Sequence, residues 1–130
     1  MEIHLKLVGI ILIGIALIHV GFPKKFKWKE ELSSLSLINQ QMMVVHTFFV
    51  ALTVVMIGFL CLYSTDDLIN TDLGRQICFG LFIFWFIRFI FQFFVYSTKL
   101  WMGKLFETTM HIIFSLIWLY VSLVFLFIVI

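Results

Sequence analysis

Three histidines lie in apolar stretches of this chain, and imidazole is the commonest metal ligand among protein side chains. His19, His46 and His111 each lie near one end of a long hydrophobic segment. If neighbouring segments run up and down, all three fall at one depth, near the same membrane face. We predict that they bind a metal ion (Zn, Cu or Fe), with one position open for water or substrate. Two of them on facing helices would instead suit haem b.

A second group of polar side chains interrupts the string IFWFIRFIFQFFVY. An arginine at the centre of a membrane span costs at least about 2.5–3.5 kcal/mol on insertion scales. Arg88, Gln92 and Tyr96 follow one another at intervals of four, so they share a helix face. We expect this face to point inward and to bind a cofactor group, such as an anion or a haem propionate. Glu107, one turn before His111, is the predicted internal counter-ion and the fourth residue of this site.

The elements that position these side chains follow from composition. The chain is 63% hydrophobic and 12% charged, with 17 phenylalanines and one proline. These values exclude a soluble domain and indicate an integral membrane protein. Four apolar segments approach the ~20 residues of a spanning helix, and the alternation typical of a β-barrel is absent. We predict a single all-α transmembrane domain over residues 1–130, folded as an antiparallel up-down four-helix bundle. The predicted helices cover about residues 3–21, 40–63, 75–97 and 106–130.

The lysines fall mainly in the connections that follow the first and third predicted helices. They are Lys24, Lys25, Lys27, Lys29, Lys99 and Lys104. The positive-inside rule therefore places these loops in the cytoplasm and both termini outside, in what we expect to be a bacterial inner membrane. Within FKWKEELSSLSL, Trp28, Leu32 and Leu35 recur at helical spacing. This pattern predicts a short amphipathic interfacial helix over about residues 27–36.

The string HIIFSLIW, residues 111–118, resembles the first-helix motif of the small four-helix haem-binding protoporphyrinogen oxidases. The resemblance covers eight residues of the last predicted helix, and it implies haem among the candidate cofactors. It bears on which ligand the histidines would take.

A small-molecule or proton channel would need a continuous polar path, and the outer half of the spans, nearly devoid of ionisable groups, counts against it. Two further classes of function stay open. One is a metal- or haem-binding membrane protein, with oxidoreductase activity as its enzymatic form. The other is a non-catalytic accessory or structural subunit of a larger membrane complex, or a homo-oligomer, whose polar residues serve helix packing. The bilayer is the expected partner in both classes, and a formal charge of +2 gives no indication of nucleic-acid binding.

Overall fold

The computed structural model describes residues 1–130, and all of its regular secondary structure is helical. Four helices are long: α1, Glu2–Val20; α4, Leu37–Tyr63; α6, Asp72–Phe94; and α7, Leu105–Val129. Each is long and apolar enough to cross a membrane, so the chain is an integral membrane protein. The predicted number of spanning helices is confirmed, and each helix begins within three residues of its predicted start.

Shorter elements connect the spanning helices. They are α2, Phe22–Lys25; α3, Trp28–Glu31; α5, Thr65–Asn70; and a 3-10 turn, Thr98–Leu100. The chain divides into two compact units: the first comprises Met1–His4 with Asp66–Ile130, and the second comprises Leu5–Thr65. The single antiparallel four-helix bundle over the whole chain stays a prediction.

In the second unit, α1 and α4 come into direct backbone contact at two glycines. A Cβ atom added to Gly9 would lie 2.8 Å from the Gly58 carbonyl oxygen, and one added to Gly58 would lie 2.9 Å from the Gly9 oxygen. Small residues allow membrane helices to approach this closely. Gly9 also faces Leu62 while Gly58 faces Ile13, so the two helices run antiparallel. Gly14, which looks equivalent to Gly9 in sequence, faces open space.

The connection between α1 and α4 differs from the predicted interfacial helix. Helical structure occurs in two single turns, α2 and α3, and the second ends at Glu31 rather than near residue 36. Lys27, between the two turns, has a φ of 51° and adopts the left-handed conformation. A right-handed helix cannot continue through that conformation, so the segment is broken there. Trp28 is buried although lysines flank it on both sides.

In the first unit, α6 and α7 form an antiparallel hairpin. The indole rings of Trp85 and Trp118 stack at 5.2 Å between centroids, with an interplanar angle of 9°. Towards the connecting loop, Gln92 meets His111. Positions therefore advance along α7 as they recede along α6, which defines the antiparallel pair. The loop includes Gly103 at a φ of 76°.

Candidate functional site

The predicted site residues are divided between the two units. The second unit holds His19 and His46, and the first holds Arg88, Gln92, Tyr96, Glu107 and His111. No group of three or more His, Cys, Asp or Glu side chains is arranged to hold a metal ion. Metal binding by all three histidines together stays a prediction.

A directed chain of hydrogen bonds links α6 to α7 in the first unit. Arg88 Nη1 donates to Gln92 Oε1 at 3.2 Å, and Gln92 Nε2 lies 3.2 Å from His111 Nδ1. A guanidinium can only donate, so the amide oxygen must face Arg88 and the amide nitrogen must donate to the imidazole. His111 Nδ1 is then an acceptor, and the ring proton lies on Nε2. The predicted face of Arg88 and Gln92 therefore turns towards α7.

Aromatic rings fix the orientation of His111. Its imidazole stacks on Trp101 at 4.5 Å and 14°, and it meets the Phe93 ring edge-on at 5.6 Å and 87°. Its backbone carbonyl also accepts a hydrogen bond from Ser115 Oγ at 2.6 Å. Because Nδ1 accepts from Gln92 and two aromatic rings pack on the imidazole, His111 serves to pair the two helices.

Arg88 is held by ring faces rather than by a carboxylate. Its Cζ atom lies 4.9 Å from the centroid of a Trp118 ring and 5.4 Å from that of Tyr96, within the range of cation–π attraction. Glu107, the predicted counter-ion, is exposed and forms no ion pair with Arg88. The guanidinium has five N–H donors, and Gln92 accepts from one of its nitrogens. Its charge is therefore oriented but not neutralised by the chain.

In the second unit, two imidazoles line one cavity of about 450 Å³. His19 belongs to α1 and His46 to α4, so the cavity receives one histidine from each helix of the pair. Most of the remaining wall is apolar or aromatic, including Phe22, Trp28 and Met43. Sequence reasoning missed this wall. The one signal for it in the sequence is an aromatic residue, Trp28, within a lysine-rich segment.

The hydrogen bonding of His19 prepares one of its nitrogens for a ligand. Its Nδ1 lies 2.8 Å from the Ile15 carbonyl oxygen. A carbonyl only accepts, so Nδ1 carries a proton, and in the neutral imidazole the lone pair then lies on Nε2. A hydrogen bond from one ring nitrogen to a backbone carbonyl commonly sets the tautomer of a metal-binding histidine. The ring also packs on Phe22 at 4.6 Å. His46 is exposed and forms no hydrogen bond within the chain.

The two groups of side chains differ in what they offer to a ligand. The cavity of the second unit offers imidazole nitrogens that no protein group occupies. The hairpin of the first unit offers a cation, while the Nδ1 atom of His111 accepts from Gln92 and its Nε2 atom carries the proton. No protein-family model, no curated protein and no solved structure matches the chain.

Proposed function

We propose that this membrane protein binds haem in the cavity of the second unit, where His19 and His46 would hold it. One observation carries the proposal: imidazoles from two antiparallel helices line the same apolar cavity, and the Ile15 bond leaves His19 Nε2 with its lone pair. Haem sites in helical bundles are built from side chains on facing helices in this way.

The composition of the wall favours haem over a bare metal ion. Zinc sites use at least three protein ligands, and this cavity offers two imidazoles. A macrocycle brings four nitrogen ligands of its own and needs only axial donors from the protein. Its apolar faces and edges suit the rings of Phe22 and Trp28. The exposed lysines beside Trp28, Lys27 and Lys29, suit the propionates.

Ligation by two histidines limits the chemistry. If His19 and His46 both held the haem iron, no ligand position would stay open for oxygen or substrate. Electron transfer is then the expected activity, and the protein acts as an electron carrier or as the haem subunit of a membrane oxidoreductase. In this proposal a substrate site, if the protein has one, lies outside the His19–His46 cavity.

The spectrum of the purified protein tests the haem proposal. Detergent-purified protein titrated with haemin should take up about one haem per chain and give the sharp Soret and α bands of low-spin bis-histidine iron. His19→Ala and His46→Ala should each abolish that spectrum. His4→Ala is the matched control, because His4 lies in the first unit and bonds Tyr120. A wild-type protein that takes up no haem would overturn the proposal.

A metal ion bound by all three predicted histidines would give a different result with the same variants. If Zn, Cu or Fe is the ligand, elemental analysis should find about one metal ion per chain without the spectrum of haem. His111→Ala should then remove the metal as completely as His19→Ala does. In the haem proposal, His111→Ala keeps the wild-type spectrum, because that imidazole is bonded to Gln92.

We propose further that the membrane is a bacterial inner membrane, with the lysine-rich loops cytoplasmic and both termini outside. The lysine distribution supports this orientation through the positive-inside rule. Reporter fusions at Glu30 and Ile69 should report opposite sides, with the Glu30 fusion cytoplasmic. Two fusions on the same side would contradict the orientation and the up-down order of the helices.

A second function is favoured by the hydrogen-bonded chain of the hairpin. Polar side chains that satisfy one another between helices, as Arg88, Gln92 and His111 do, are typical of packing in membrane proteins. A haem-free protein would then be a structural or accessory subunit, or a homo-oligomer. Light scattering of the protein in detergent separates these cases, since a homo-oligomer gives a multiple of the 15.3 kDa chain mass.

A further inference from the structure

We propose that Arg88 binds the oxyanion headgroup of a membrane amphiphile at the loop end of the α6–α7 hairpin. This inference does not depend on haem, because every residue it uses lies in the first unit. The ligand is defined by its chemistry: a headgroup of net negative charge, a phosphate or a carboxylate with no cation of its own, carried by a lipid tail.

The position of the guanidinium along the hairpin supports the assignment. Arg88 precedes the last residue of α6, Phe94, by six residues, which is about 9 Å of helix. Its guanidinium nevertheless lies beside the ring of Tyr96, beyond the end of that helix. Its Cζ lies closer to the ring of Trp118, at 4.9 Å, yet Nη1 donates to Gln92, one turn nearer the loop, so the side chain extends towards the loop. In this proposal the lipid headgroups lie at that level, because α6 ends at Phe94.

The polar groups around Arg88 are rich in donors and poor in acceptors. Gln92 Oε1 accepts one hydrogen bond from Arg88, and the amide nitrogen of Gln92 is committed to His111. Arg88 therefore keeps N–H donors beyond the one that Gln92 accepts, and no carboxylate neutralises the arginine. The complementary ligand carries a negative charge and only acceptors, which describes a phosphate diester or a carboxylate.

Arginine suits this ligand better than lysine would. Its planar fork can donate two parallel hydrogen bonds to one phosphate or carboxylate. The faces of Trp118 and Tyr96 hold the plane of the fork without occupying its donors. The loop adds Lys99 and Lys104, both exposed, whose charges attract anionic headgroups to the same end of the hairpin.

Binding constants from native mass spectrometry of the detergent-solubilised chain test the proposal. Phosphatidylglycerol should bind wild-type protein more tightly than phosphatidylcholine with the same tails. Arg88→Gln should weaken phosphatidylglycerol binding about tenfold or more, because a charge-assisted hydrogen bond is lost. Arg88→Lys keeps the charge without the fork and should fall between the two. Arg75→Gln is the matched control, since Arg75 is exposed at the other end of α6, and it should change binding less than about twofold.

Two competition arms identify the source of the oxyanion. Displacement by oleate but not by inorganic phosphate assigns an amphiphile, as proposed, and displacement by inorganic phosphate assigns a free anion and overturns the lipid part. Equal binding of the two phospholipids, or an Arg88→Gln variant that binds like wild type, overturns the site itself. If Arg88→Gln lacks the wild-type circular dichroism spectrum, the comparison of Arg88→Lys with wild type decides. Haemin uptake by the same variants tests the haem proposal separately, and it should be unchanged.

Discussion

The two helix pairs of this protein are joined by different means. In the second unit, Gly9 and Gly58 bring the backbones of α1 and α4 into contact. In the first unit, α6 and α7 are joined by side chains: the stacked indoles of Trp85 and Trp118, and the hydrogen-bonded chain that ends at His111.

This difference bears directly on function. A polar side chain that pairs two helices uses its hydrogen-bonding atoms in that contact. His111, for example, uses Nδ1 to accept a hydrogen bond from Gln92. Where glycines bring the helices together, the imidazoles need not serve packing. His19 accordingly bonds only its own helix, through Ile15, and keeps Nε2 for another group. Histidines at similar predicted depth thus have different capacities to bind a ligand.

The largest loss of stability is expected from Trp118→Ala. The substitution removes the stack with Trp85 and the ring face beneath Arg88 together. We expect unfolding in mixed detergent, followed by circular dichroism, to require about 3 kcal/mol less than for wild type. Leu116→Ala on the exposed face of α7 is the control and should cost much less. Equal losses in the two variants would mean that the indole stack does not hold the hairpin.

Gly58→Ala tests the other pair and should cost somewhat less. The added methyl group would lie 2.8 Å from Ile13 Cγ1 and 2.9 Å from the Gly9 oxygen, so the helices must separate. We expect a loss of about 2 kcal/mol in the same unfolding assay, typical of overpacking. Gly14→Ala, which meets no atom within 4 Å, should be neutral or slightly stabilising.

The same two variants separate the functional consequences. Gly58→Ala displaces the helices that carry His19 and His46, so it should also weaken haemin uptake. Trp118→Ala leaves that helix pair unchanged and should retain haemin uptake under conditions where the protein remains folded. A reversed result would contradict the assignment of haem to the second unit.

Hydropathy and spacing predict much of this fold, for clear physical reasons. A membrane span requires a long apolar run, so the four helices are visible in the sequence. Spacing by four residues also places Arg88 and Gln92 on one face, and the structure joins them by a hydrogen bond. The spans depend on local hydropathy and the shared face depends on local spacing, and the sequence contains both.

Other features depend on neighbours that periodicity does not identify. Gly9 and Gly14 look alike in sequence, yet only Gly9 meets another helix. The hydrogen-bond role of His111 requires knowing that Gln92 faces it from α6. The break at Lys27 is a backbone conformation that lysine rarely adopts, so composition gives no warning of it.

Gln92→Leu tests the polar chain of the hairpin and should have a moderate effect. It leaves Arg88 without its amide acceptor and His111 Nδ1 without its donor. Interhelical hydrogen bonds in bilayers contribute modestly, so we expect a loss of about 1 kcal/mol in the unfolding assay. Gln76→Leu, at an exposed position of the same helix, is the control. A stability equal to wild type would show that the chain orients its members without holding the helices together.

The smallest effects are expected in the two connections, where each pair has one residue at positive φ. Gly103, at 76°, joins α6 to α7, and Lys27, at 51°, lies between α1 and α4. Gly103→Ala has space for its methyl group but must adopt an unfavourable backbone conformation, so it should cost about 1 kcal/mol. Lys27→Gly relieves the same kind of strain but gives the unfolded chain more freedom, so its net effect should stay within about 0.5 kcal/mol. In the detergent unfolding assay, Gly103→Ala should lose more stability than Lys27→Gly. A larger loss from Lys27→Gly would indicate that the lysine side chain, rather than the backbone turn, stabilises the connection in the second unit.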